Sequence, residues 1–179
     1  MSELSTLALD RALLGFLVQS PRHGYELYAT FRRELGDIWQ AGRSQVYALL
    51  HRLAGQGLVQ ATPVLQEGRP PRRVYALTDA GRIAFLAWLH APVPHMRDIR
   101  VELLAKLYFC RLLDPDATAD LLARQIALCR RRLEALDAAA LAARDARAVA
   151  ALAASYRRQQ VIAIIQWLEE CQQQAEARG

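Results

Sequence analysis

The sequence predicts a mainly α fold that carries one small β-hairpin. Apolar residues recur at spacings of three and four along most of the 179 residues, which is the period of a helix with one buried face. Only the stretch around residues 58–78 changes character, to short runs of β-branched and aromatic residues separated by Pro63, Gly68, Pro70 and Pro71. Breakers then set the boundaries: "QSPRHG" at 19–24, the glycines Gly55 and Gly57, and "APVPHMRD" at 91–98.

The first helix is marked by Leu9, Ala12, Leu13, Phe16 and Leu17 on one side. A second follows with Leu27, Tyr28, Phe31 and Leu35, and Gly36 is expected to end it in the left-handed conformation that glycine adopts cheaply. The third, "RSQVYALLHRLAGQG", has Val46, Leu49, Leu50 and Leu53 in an i, i+3, i+4, i+7 set. With 3.6 residues per turn, Ser44, Ala48 and His51 then point away from the core, flanked by Gln45, Tyr47 and Arg52. These residue types suit a nucleic-acid surface. Gln and Arg make bidentate bonds to adenine and guanine edges, Ser and Tyr reach phosphate, and a small Ala admits close approach. An ordinary solvated polar face would have similar composition.

The next segments separate these readings. "LVQAT" and "RRVYALT" form the expected hairpin, whose tip carries Arg69, Pro70 and Pro71 and runs into Arg72 and Arg73 at the start of the second strand. Three helices followed by such a hairpin are a winged helix-turn-helix, in which the third helix enters the major groove and the wing follows the neighbouring backbone. The prolines would hold a basic wing outward, with its arginines at phosphates.

The residues "HGYEL" (23–27), Trp39, "VYALLHRLAGQGLV" (46–59) and "GRPPRRVYALTDAGR" (68–82) together resemble the PadR family of bacterial transcriptional regulators, over about residues 12–90. Regulators of the multiple-antibiotic-resistance type are the nearest competitor. Many PadR members have proline and glycine just before the recognition helix and proline after its tyrosine; here Gly42, Arg43, Ser44 and Gln45 and then Ala48 occupy this region, so the operator read could differ. The resemblance implies a homodimer on double-stranded operator DNA, usually a repressor, with contacts from Arg43, Ser44, Gln45, Tyr47, Ala48, His51, Arg52, Arg69, Arg72 and Arg73. It also implies release by a small aromatic effector, for which Trp39, Trp88, Tyr108, Tyr156 and Trp167 are the candidate side chains, although core or dimer packing is the more ordinary use of each.

Thr78 caps a fourth helix, "DAGRIAFLAWLH", and the proline segment after it is the expected hinge between a DNA-binding domain, 1–90, and an α-helical dimerisation domain, 91–179. "IRVELLAKLYFCRLL" is apolar on two faces, with Ile99, Leu103, Leu107 and Cys110 on one and Val101, Leu104, Tyr108 and Leu112 on the other. Asp114 and Pro115 start the next helix, where Leu122, Ile126, Cys129, Leu133, Leu136 and Ala140 alternate spacings of four and three, a coiled-coil-like seam. Its partner is either the last helix, with Val149, Leu152 and Tyr156 and then Val161, Ile164, Ile165 and Leu168, or a second subunit. The break before that last helix is expected between Asp137 and Arg147. Dimer contacts are expected at Ile99, Leu103, Leu107, Leu122, Ile126, Leu133, Ile165 and Leu168. The pattern resembles the longer C-terminal domain of one PadR subgroup.

Composition narrows the classes. The net charge is +5, and of 23 basic residues only Lys106 is lysine, so the cations are almost all guanidinium forks suited to phosphate and base edges. The three cysteines, Cys110, Cys129 and Cys171, have no paired-ligand spacing, which fits a reducing cytoplasm rather than a disulfide framework. No membrane-spanning stretch is expected, and the four histidines stand beside no recognised nucleophile or metal spacing, so neither an enzyme, a cofactor nor a metal is expected. The alternatives kept open are a winged-helix module that binds another protein and a small hydrolase with an unfamiliar site.

Overall fold

A computed structural model describes residues 3–66, 69–142 and 148–176, with side-chain surroundings described for 8–64, 72–140 and 148–175. The elements are α1 (Glu3–Phe16), β1 (Arg22–His23), α2 (Gly24–Leu35), α3 (Arg43–Gly55), β2 (Val59–Gln66), β3 (Arg69–Leu77), α4 (Asp79–His90), α5 (Leu104–Leu113), α6 (Ala117–Ala142) and α7 (Ala148–Glu176). A 3-10 turn at Met96–Asp98 and a π turn at Ile99–Leu103 lead into α5. The chain divides into two compact units, Met1–Ala91 with Asp98–Phe109, and Pro92–Arg97 with Cys110–Gly179. The segment 98–109 therefore clusters with the first unit although it follows the proline-rich break.

In the first unit, α1, α2 and α3 bury Leu9, Leu13, Leu27, Phe31, Leu50 and Leu53 completely, on the faces their spacing predicts. A cluster of edge-on and tilted rings, Phe16, Phe85, Trp88, Tyr108 and Phe109, fills the space between α1, α4 and α5, with centroids 5.0–6.4 Å apart. Gly15 makes the cluster possible, because a Cβ there would lie 2.6 Å from both Phe85 and Phe109. Lys106, 1 % exposed, is held beside the cluster by Glu102 (3.0 Å) and the Ala91 carbonyl (2.7 Å), with its ammonium 5.0 Å from the Trp88 ring centroid. The Trp88 indole N–H donates to the same Glu102 at 2.8 Å, so this buried charge is paired and bonded, as burial requires.

The hairpin is part of a three-stranded antiparallel sheet in the order β1-β3-β2, not of two strands alone: Arg22 and His23 pair with Tyr75 and Val74. A two-residue strand leaves no periodic trace for a sequence reading to find. Gly36 also differs from expectation. It sits in the right-handed region at φ −64°, and its reason is space, since a Cβ would lie 2.2 Å from the Arg32 carbonyl oxygen. The left-handed residue is Gly57, φ 70°, just past the end of α3. Thr78 caps α4 as expected, its hydroxyl accepting from the Gly81 N–H at 3.1 Å.

The second unit is built on the pairing of α6 with α7, the own-chain one of the two partners expected for the seam. Leu122, Ile126 and Cys129 of α6 and Val161, Ile165 and Leu168 of α7 are buried. Arg130–Glu169 (2.8 Å) and Arg158–Asp137 (2.7 Å) bridge the two helices on the surface. Gln125, fully buried, closes the proline segment onto α6: its amide oxygen accepts from the Val93 N–H at 2.6 Å and its amide nitrogen donates to the Val93 carbonyl at 3.1 Å. Helix α6 ends at Ala142 and α7 begins at Ala148, so the expected break includes residues 143–147, which lie outside the described residues. Of the positions expected at a dimer contact, Ile99, Leu103, Leu122, Ile126, Ile165 and Leu168 are buried within this chain, and Leu107 and Leu133 are half-buried. The large apolar side chains left uncovered on α7 are Val149, Leu152 and Tyr156, an i, i+3, i+7 set 78, 71 and 65 % exposed.

Candidate nucleic-acid interface

Helix α3 divides as its period dictates. Val46, Leu49, Leu50 and Leu53 are buried, while Arg43, Ser44, Tyr47, Ala48, His51 and Arg52 are exposed and Gln45 is half-buried. The guanidinium of Arg43 lies 5.6 Å from the Tyr28 ring centroid on α2. Arg52 has a different employment from the rest of this set: it donates to the buried carboxylate of Asp10 on α1 and so fastens the C-terminal turn of α3 to the core. Burial raises the Asp10 carboxyl above its ordinary range, although Arg52 beside it acts in the opposite direction.

The wing meets α3 in one cleft of about 540 Å³, lined by His23, Gly24 and Tyr25 at the start of α2, Tyr47 and His51 of α3, and Arg72, Arg73 and Tyr75 of β3. Gly24 allows this convergence, because a Cβ there would lie 3.0 Å from the Tyr47 ring and 3.3 Å from Tyr75. Arg72 is half-buried with its guanidinium 5.2 Å from the Tyr25 ring centroid, and Arg73 is exposed. Arg69 belongs to β3, where it pairs with Gln66, while its side chain lies outside the described residues, as do Glu67 and Gly68. The arrangement brings two guanidinium groups, two imidazoles and three phenol rings together, a donor-rich and stacking-capable surface suited to a polyanion with exposed edges. His23 and Tyr25 escape a reading by helix face or wing charge; the "HGYEL" motif is the sequence signal that contains them.

The aromatic residues considered for an effector do not line this cleft. Trp39 is buried against Phe31, with ring centroids 6.3 Å apart, and Trp88 and Tyr108 belong to the packed ring cluster. Tyr156 is exposed on α7, where its hydroxyl accepts from the Gln160 amide at 2.9 Å, and Trp167 is half-buried on the same helix. Among the described residues no group of three or more His, Cys, Asp or Glu could hold a metal ion, and no helix is long and apolar enough to cross a membrane.

Residues 13–87 match the model of the transcriptional regulator PadR-like family, and residues 99–176 match that of the virulence activator alpha C-terminal domain. Over residues 13–87 the chain carries the domain of the PadR-like family of transcriptional regulators. This is a family of regulators and not an enzyme class. Among its curated relatives are a probable transcriptional regulator of Mycobacterium tuberculosis, 38 % identical over 51 % of this chain and 48 % of that protein, and the negative transcriptional regulator PadR of Bacillus subtilis, 32 % identical over 66 % of this chain and 65 % of that protein. The chain thus matches about half to just under two thirds of their lengths. Among solved structures, Bacillus subtilis PadR in complex with operator DNA is similar over 93 % of this chain and 98 % of that one at 25 % identity and a TM-score of 0.45. The Vibrio cholerae virulence activator AphA is similar over 96 and 99 % at 26 % identity and a TM-score of 0.41.

Proposed function

We propose that this PadR-like chain is a DNA-binding transcriptional regulator that acts as a homodimeric repressor in the cytoplasm and catalyses no reaction. The observation that carries the reading is the meeting of α3 and the wing in one cleft: Tyr47 and His51 from the helix face Arg72 and Arg73 from the strand, on a helix whose outward positions are polar or small. Ser44, Gln45 and Ala48 are the base-reading positions, and Arg43, Arg72, Arg73 and Arg69 are the phosphate contacts. Arg52 supports the helix through Asp10. A second copy of the chain would cover Val149, Leu152 and Tyr156 on α7 and set the two reading helices one turn of DNA, or a multiple of it, apart. Release by a small aromatic effector rests on the family resemblance.

The decisive experiment is binding to random-sequence duplex across a salt series. Counterion release gives a steep fall of affinity with salt, and Arg72→Ala should lower the slope by about one for each phosphate that a subunit no longer neutralises, while weakening operator and random duplex alike. Affinity for duplex that does not depend on salt would reject the reading in favour of a winged-helix module for a protein partner.

A further inference from the structure

Tyr25 lies outside the set that helix faces and wing charge single out, yet it is half exposed at the start of α2 with the wing cation Arg72 placed over its ring, 5.2 Å from the centroid. The ring is itself held. It stacks on His23 at 6.2 Å with an interplanar angle of 18°, and its hydroxyl donates to Glu26 at 3.3 Å. The other oxygen of that carboxylate accepts the His23 backbone N–H at 3.0 Å. His23 in turn pairs with Val74 of β3, two residues beyond Arg72, so the sheet ties the ring and the arginine to the same short piece of backbone. A guanidinium that rests on an aromatic ring engages its π face and leaves the in-plane N–H donors available, and those are the donors that grip a phosphate. An arginine ordered before contact also loses less freedom on binding than one on an unsupported loop.

We infer that Tyr25 is a positioning residue for DNA binding: its ring seats Arg72 so that the guanidinium meets a backbone phosphate already oriented, without Tyr25 reading a base itself. The inference rests on the DNA-binding reading above and assigns the wing arginine a partner from a different element. Tyr25→Phe keeps the ring and should keep affinity and salt slope. Tyr25→Leu removes the ring and should weaken binding to duplex by about two- to fivefold, the worth of an exposed cation–π contact.

The test measures a labelled random-sequence duplex over a salt series with the full chain, for Tyr25→Phe, Tyr25→Leu, Arg72→Ala and the Tyr25→Leu/Arg72→Ala double variant. If the ring works through Arg72, Tyr25→Leu costs nothing further once Arg72 is gone. Additive losses would mean that Tyr25 acts on its own or through general stability, and they overturn the inference. So does a phenylalanine variant as weak as the leucine variant, or a leucine variant that binds as tightly as the parent or more so, since the ring would then be idle or holding the arginine back. A parent chain with no salt-dependent affinity fails at the DNA-binding reading itself, whereas a parent that binds while the cycle fails loses only the role of Tyr25.

Discussion

Helices α3 and α7 each leave a face uncovered, and the two faces differ in kind. On α3 the uncovered positions include Arg43, Ser44, Tyr47, His51 and Arg52, whose polar atoms water satisfies well and a polyanion satisfies better. On α7 they include the aliphatic Val149 and Leu152, which water satisfies poorly, in line with the ring of Tyr156. A polar face can wait in solvent for an intermittent partner, whereas an apolar stripe calls for a standing one. On the proposed function, one surface of the chain suits reversible occupancy by nucleic acid and the other continuous occupancy by a second copy.

The sharpest way to break this contrast is to make the two faces alike. Val149→Glu combined with Leu152→Glu should turn a sedimenting dimer into a monomer and reduce affinity for a selected operator by about 10²- to 10⁴-fold, the avidity that linked half-sites supply. A variant that still sediments as a dimer would show that the stripe is not the subunit contact. Next in size is Phe109→Ala, which empties the centre of the ring cluster and should lower the stability of the first unit by about 3–5 kcal/mol in denaturant titration. A loss below about 1 kcal/mol would mean that the cluster collapses around the gap rather than depending on that ring. Because Phe109, Leu103 and Ile99 are buried in the first unit, a chain cut at His90 should lose part of the core that covers α1 and α4, and a cut after Phe109 should be the better folded of the two.

On the α3 face itself, Gln45→Ala should cost about 1–3 kcal/mol on the operator and little on random duplex; equal losses on both would make Gln45 a residue that only orients the helix. The smallest effect concerns the anchor of that helix. Burial raises the folded-state pKa of Asp10 above its ordinary 3.8, so the folded chain holds this proton to higher pH than the unfolded chain does. The contribution of Asp10 to stability is therefore fully present below that ordinary value and is lost as pH rises through the folded value. Denaturation over a pH series should show this descent in the parent and not in Asp10→Asn. A parent that gains on the asparagine variant with rising pH would show that the pairing with Arg52 outweighs the cost of burial.

Much of α3 was legible because its two faces follow from spacing alone: Val46, Leu49, Leu50 and Leu53 are buried and Ser44, Ala48 and His51 are exposed, as the helical period requires. The two-faced pattern of residues 99–112 was equally visible, but a pattern says only that more than one neighbour is needed. That one neighbour is the ring cluster of the first unit depends on Gly15, nearly a hundred positions earlier, which leaves no periodic signal. The Arg52–Asp10 pair escaped for the same reason, with 42 positions between partners. The reading of Gly36 failed on mechanism: glycine at a helix end has two physical uses, a left-handed turn and room beside a carbonyl, and composition does not separate them.

The enclosure of Lys106 has a practical consequence. It is the one lysine in the sequence, it is 1 % exposed, and its ammonium is engaged by Glu102 and the Ala91 carbonyl, so the folded first unit offers no side-chain amine to an acylating reagent. Amine labelling of Lys106 would proceed only when the α4–α5 packing opens, and its rate, followed by mass spectrometry of the one lysine-containing peptide, would report the frequency of that local opening. A chain almost devoid of lysine thereby carries a single-site clock for the breathing of its own core.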